Sequence, residues 1–217
     1  MHYICTSIVA IASLGITGTG LGGVTFVFTD SGQQLGNNYS EAVALGDLDG
    51  DGDLDAMVAN DGDPNTVWAN NGSGVLGPSP TQELGNSYSR SVALGDLDGD
   101  GDLDAMFAIY YDQPNTVWLN NGSGTFTNST QELGNSWSYS VALGDLDGDG
   151  DLDAMVANNF QPNTVWINDG TGTFTNSGQA LGNSRSQSVA LGDLNGDGDL
   201  DAMFANVDQP NTVWMND

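Results

Sequence analysis

No lysine occurs among these 217 residues, and Arg90 and Arg185 are the whole complement of arginine. Against them stand 29 acidic residues, for a formal net charge of −27. A chain without a basic surface cannot neutralise phosphates, which excludes nucleic acid as a partner. Attraction to an anionic membrane surface is excluded for the same reason. Cysteine is equally scarce: Cys5 stands alone, so no disulfide framework can form within the chain. The single histidine, His2, lies beside it, and from Gly22 onward the sequence has no His, Cys or Lys. The usual general bases, thiol nucleophiles and amine nucleophiles are therefore missing, and no enzyme is expected. Long apolar runs are also lacking. Ile4 to Leu14 is too short and too interrupted to span a bilayer, and no membrane insertion of the mature chain is expected. With the small residues that follow it, residues 1–22 read as a secretory signal segment, although no Lys or Arg precedes the apolar stretch. An ordered extra strand, or the start of a piece of a longer protein, is the alternative.

What the chain has in excess is aspartate, and its placement is regular. Asp47-Leu-Asp-Gly-Asp-Gly-Asp-Leu-Asp55 returns at Asp96–Asp104, at Asp145–Asp153 and, with Asn195 in the third place, at Asp193–Asp201. Nineteen of the 26 aspartates lie in these four stretches, at spacings of 49, 49 and 48 residues. Carboxylates at alternate positions of a compact turn repel one another unless a cation holds them, and an all-oxygen set at this spacing favours Ca²⁺. The candidate metal residues are Asp47, Asp49, Asp51, Asp53 and Asp55, then Asp96, Asp98, Asp100, Asp102 and Asp104. Next come Asp145, Asp147, Asp149, Asp151 and Asp153, then Asp193, Asn195, Asp197, Asp199 and Asp201. Positions 1, 3, 5 and 9 of each loop would offer side-chain oxygens and position 7 a main-chain carbonyl, while the glycine at position 6 allows the bend. An EF-hand is excluded: it needs Glu at position 12 and flanking helices, whereas position 12 is Val58, Phe107, Val156 or Phe204 in a β-prone run. One Ca²⁺ per loop would bring the charge to about −19.

The loop is one part of a longer repeat. Each unit carries Val-Ala-Leu-Gly before the loop, Ala-Met-Val/Phe-Ala after it and Asn-Thr-Val-Trp ending at Trp68, Trp118, Trp166 or Trp214. In the first three units a Gly-rich hairpin signal follows, at Asn70, Asn120 and Asn168, and then a further short strand. Four short antiparallel strands, A to D, in a period of 48–49 residues predict an all-β fold, a β-propeller of four-stranded blades. Val75-Leu-Gly-Pro-Ser-Pro80 reads as a strand D, whose prolines suit an outer edge. Residues 23–217 form this repeat domain of four units. The last unit stops at Asp217 before its strand D, and Val24-Thr-Phe-Val-Phe28 reads as a spare strand D at the front. The expectation is that this strand completes the last blade and closes the ring. A ring shared by two chains, or a piece of a larger propeller, is the alternative.

The Asp-x-Asp-Gly-Asp-Gly-x-x-Asp loop, the strand after it and the period resemble the VCBS/FG-GAP family of integrin-like β-propeller repeats over Val24 to Asp217. The sequence departs from the integrin form in having no Phe-Gly or Gly-Ala-Pro landmark, and is more similar to the bacterial secreted branch. The resemblance implies Ca²⁺ in each A–B loop, a secreted or cell-surface location and a role in adhesion, in ligand binding or as a module appended to an enzyme.

Up-and-down strand order puts the A–B and C–D loops on one face and the B–C and D–A connections on the other. The second face carries what differs between units. Its candidate ligand residues are Tyr39, Tyr88, Tyr110, Tyr111, Trp137, Phe160 and Arg185, with Glu41, Arg90 and Tyr139 nearby. Aromatic rings beside Asn, Ser and Asp suit sugars and protein partners alike. The recurrent tryptophans are instead expected between blades. The function expected is a non-catalytic extracellular Ca²⁺-binding adhesion or ligand-binding module for a protein or glycan, with oligomer formation open. A lectin-like carbohydrate binder, or an accessory propeller of a larger secreted enzyme or surface protein, is the alternative.

Overall fold

The computed structural model describes residues 28–217, and within them four antiparallel sheets follow one another along the chain. The first blade holds β1 (Ser40–Gly46), β2 (Asp55–Asn60), β3 (Asn65–Trp68) and β4 (Gln82–Leu84). The second holds β5 (Ser89–Gly95), β6 (Asp104–Ile109), β7 (Thr116–Asn120) and β8 (Phe126–Asn128). The third holds β9 (Ser138–Gly144), β10 (Asp153–Asn158), β11 (Asn163–Asn168) and β12 (Phe174–Leu181). The fourth has three described strands, β13 (Ser186–Gly192), β14 (Asp201–Asn206) and β15 (Thr212–Trp214). Each sheet runs in sequence order, so the fold is an all-β propeller of up-and-down blades, as the repeat predicts.

The second strand of each blade explains its apolar run. Met57 and Ala59 of β2 pack with Ala105, Phe107 and Ile109 of β6; Met106 and Ala108 of β6 pack with Ala154 and Val156 of β10. Met155 and Ala157 of β10 then meet Ala202 and Phe204 of β14. Alternate side chains point to opposite faces of a strand, so a strand pressed between two blades is apolar at every position. The recurrent tryptophans hold the blades together as well. Trp68 and Trp166 are buried, and each indole Nε1–H of Trp68, Trp118 and Trp166 donates to the Thr two residues before it, at 2.9–3.2 Å.

Strand D differs from its sequence reading in the first blade. Val75–Pro80 makes a single bridge, Asn70 with Leu76, and the outer strand forms later, at Gln82–Leu84. Pro78 and Pro80 have no N–H to give to the ladder, so pairing resumes only after them. The strand read at Val24–Phe28 and the signal segment at 1–22 lie outside the described residues, apart from Phe28, which is fully exposed.

Candidate functional site

The acidic loops join the first two strands of every blade. In three of them carboxylate oxygens converge to within 4.8 Å of one another: Asp47, Asp49 and Asp55; Asp96, Asp98 and Asp104; Asp145, Asp147 and Asp153. These are positions 1, 3 and 9 of the loop, and each group can hold a metal ion. The remaining aspartates have other neighbours. Asp51 Oδ1 accepts the N–H of Asp53 at 2.9 Å, and a Cβ on Gly72 would lie 2.5 Å from Asp53 Oδ2. Asp102 and Asp151 stand in the same way against Gly122 and Gly170. Position 7 thus faces the C–D hairpin, which puts the loops and the Gly-rich hairpins on one face. The bend itself demands glycine, because Gly52, Gly101, Gly150 and Gly198 have φ between 91° and 103°.

Position 1 shapes the loop by accepting main-chain N–H groups, as Asp47 does from Gly50 at 2.9 Å and Gly52 at 3.0 Å. Position 9 clamps it. Asp55 accepts the N–H of Leu48 at 2.9 Å and that of Asn70 at 2.7 Å, tying the loop to the end of the third strand. Asp104, Asp153 and Asp201 repeat both bonds. Burial nevertheless pushes the Asp104 carboxyl up to about 6, prevailing over the two N–H donors that favour its charged form. Asp49 and Asp98 are also raised, by burial and by neighbouring carboxylates. In the fourth loop Asn195 Nδ2 donates to Asp197 Oδ2 at 2.6 Å, a bond no aspartate could make.

Sequence reasoning missed a residue that works across blades. Asn120 Nδ2 donates to the carbonyl of Leu48 in the preceding loop at 2.8 Å and to Leu103 of its own at 3.1 Å. Asn168 reaches Leu97, and Asn216 reaches Leu146, both at 2.8 Å. The signal was present as an Asn two residues after every recurrent Trp.

The opposite face gathers most of the candidate ligand residues. Tyr110 packs on Tyr111, Trp137 and Tyr139, with ring centroids at 4.1, 5.3 and 5.0 Å, and Tyr88 meets Tyr111 edge-on at 4.9 Å. Burial and the neighbouring Tyr139 push the Tyr110 hydroxyl up to about 12. Arg90 lies 5.1 Å from the Tyr110 ring, pairs with Glu41 and holds Asp61 at 3.0 Å. Arg185 forms a separate group, over Phe160 at 4.9 Å and near Asp208 at 3.3 Å. Tyr39 is exposed on the first blade, where its carbonyl accepts the Asp61 N–H at 2.8 Å.

Two backbone features aim these side chains. Glu41, Arg90, Tyr139 and Gln187 occupy equivalent places at the start of strand A, on strands rather than loops. Each is the extra residue where the pairing register shifts. A bulge re-aims the side chain it carries. At the turn after the second strand, Gly62 of the first blade has φ 78°. Its equivalents Tyr111, Phe160 and Asp208 keep the same left-handed conformation, at 60°, 58° and 57°. Such a conformation strains a residue that carries a Cβ, and most of all a bulky one.

Three stretches, residues 47–107, 105–156 and 145–204, match the model of the FG-GAP-like repeat. Together they span well over half of the sequence. Among curated proteins none matches. Among solved structures the chain is similar to two crystal structures of BBS1N in complex with ARL6DN, soaked with lead and with mercury. The TM-scores are 0.54 and 0.53 at 12% and 13% identity, covering 83% of this chain and 55% of those chains in both cases. This chain therefore spans about half the length of the structures it matches.

Proposed function

The chain belongs to the family of FG-GAP-like repeats, and we propose that it is a non-catalytic, extracellular propeller module that binds a protein or glycan through its aromatic face. Ca²⁺ in the acidic loops of the other face holds the blades in shape. The donor set fits that ion: oxygen ligands only, three carboxylates converging in each of the first three loops, and burial and charge repulsion raising the pKa of Asp49 and Asp98. Asp47, Asp49 and Asp55 would hold the first ion, and their equivalents the others. The ion would neutralise the loop and fix the first strand against the second.

The observation that carries the binding role is the pair Tyr111 and Phe160. Both are exposed, and both keep a left-handed backbone where the first blade has glycine. Each ring keeps one side against its neighbours and about half its surface in solvent, and strain retained at an exposed aromatic residue points to selection for contact. A lectin-like reading draws on the same place, because Trp137 donates through Nε1 to Asp112 at 2.9 Å beside the exposed Tyr111 ring. A flat ring next to oriented polar groups is what a sugar needs. Arrays of glycans and of extracellular matrix proteins, probed in Ca²⁺, test both readings. Binding that Tyr111→Ala and Trp137→Ala each abolish, with Ca²⁺ uptake retained, is the expected result. Binding that survives both substitutions would remove the ligand from this face.

A further inference from the structure

Each blade meets the next through the same parts, and the two outermost blades leave those parts unmatched. A Cβ placed on Gly46 would lie 2.6 Å from Leu103 and 3.2 Å from Leu94, both of the following blade. Gly95 stands likewise under Leu152 and Leu143, and Gly144 under Leu200 and Leu191. On the fourth blade none of the described residues lies within 4 Å of the equivalent position at Gly192. The leucines that would fill that place are on the first blade, where Leu45 and Leu54 are 61% and 58% exposed. Val43 is 49% exposed, against 6–9% for Val92, Val141 and Val189. On the trailing face Met203 and Val213 are 44% and 52% exposed, whereas their equivalents in the other blades are at most 6% exposed. The hydrogen bonds repeat the pattern. Asn120, Asn168 and Asn216 each reach back to a preceding blade, while among the described residues Asn70 Nδ2 donates only to its own Leu54 carbonyl.

From these two faces we infer that the chain pairs head to tail with a second copy of itself. The leading face of one copy seats on the trailing face of the other, twice, in one closed ring. The two faces are the two halves of an interface the chain makes three times within itself, so each is complementary to the other and neither to itself. A contact of this kind closes into a ring when its rotation divides the circle. The segment before β1 fits this arrangement. Gln82 and Gln131 reach from the outer part of one blade to the main chain of the next. Gln33 makes the same pair of bonds to the first blade, to Gly74 O at 2.8 Å and from Leu76 N at 2.9 Å. It therefore sits where the outer strand of a preceding blade would be, and in the ring it would lie beside β15 of the second copy, whose sheet has three described strands. This is the ring shared by two chains that the sequence offers as the alternative to closure within one.

The test is the solution mass of the full chain in Ca²⁺ and physiological salt, by sedimentation velocity. Leu54→Arg spoils the leading face and Val213→Arg the trailing face, both at exposed positions that leave the core untouched. A wild-type dimer, two monomeric variants with unchanged circular dichroism, and a dimer restored on mixing the two variants are expected. Only a head-to-tail contact gives that rescue, since the mixture retains one intact interface. A wild-type monomer would overturn the inference and leave these faces to further blades. A dimer that persists in either variant alone would overturn it too, as would open-ended assemblies.

Discussion

One hydroxyl shows how far the blades depart from perfect repetition. Ser40, Ser138 and Ser186 each donate to an Asn at the end of the second strand, at 2.8–2.9 Å. In the second blade Ile109 replaces that Asn, and the buried Ser89 Oγ has no partner among the described residues. Removing a satisfied buried hydroxyl costs about 1 kcal/mol, whereas removing an unsatisfied one costs nothing or stabilises. Ser138→Ala is therefore expected to lower the unfolding free energy by about 1 kcal/mol and Ser89→Ala to leave it unchanged or raised, read from denaturant melts in Ca²⁺. A residue beyond Ile109 stands Tyr110, the centre of the aromatic group, and then Tyr111. If Tyr111 is kept for a ligand, relieving its backbone must separate stability from binding. Tyr111→Gly is expected to raise stability by about 1 kcal/mol, the cost of a left-handed residue, while abolishing ligand capture. A loss of stability instead would show that the ring serves packing.

At the scale of the element, the A–B loop is the unit of design, and its copies are not equal. Asn195 removes one charge from the fourth loop and spends its amide on Asp197. Ligand charge tunes Ca²⁺ affinity, so calorimetric titration is expected to resolve one site roughly tenfold weaker than the rest, and Asn195→Asp to abolish the difference. The loops were legible in the sequence because alternating Asp and Gly has one compact solution. Their spacing then made the blades legible, since each loop must join two paired strands. The outer strands were less so. Pro78 and Pro80 shift pairing to Gln82, a displacement set by which N–H groups exist rather than by hydrophobic pattern. Asn120 was not legible at all, because its partner at Leu48 lies 72 residues away in another blade. Of the candidate ligand residues, Tyr88, Tyr110, Tyr111 and Trp137 come together. Phe160 and Arg185 pair elsewhere, a division that depends on which neighbouring blades carry which side chain.

For the whole molecule, the net charge of −27 makes metal and pH act on stability together. In the metal-free protein several loop carboxylates are raised, Asp104 to about 6 and Asp49, Asp98 and Asp153 in the same direction, all chiefly by burial. A raised carboxyl binds its proton more tightly in the folded than in the unfolded chain. Its contribution to stability is fully present below the ordinary value near 3.8 and is lost as pH rises through about 6. The exposed Asp169 and Asp197 are lowered by hydrogen bonds and act the other way, outside the buried clamp. The metal-free chain is thus expected to melt at a higher temperature near pH 4 than near pH 7. Ca²⁺ requires the same carboxylates without their protons, so its stabilisation grows over the interval in which theirs disappears. Melting curves with Ca²⁺ and with chelator should converge near pH 4 and separate steadily above 6, the chelated curve falling while the other holds. Parallel curves at every pH would mean that the ion is not held by these carboxylates, and the acidic loops would then need another cation to explain their shape.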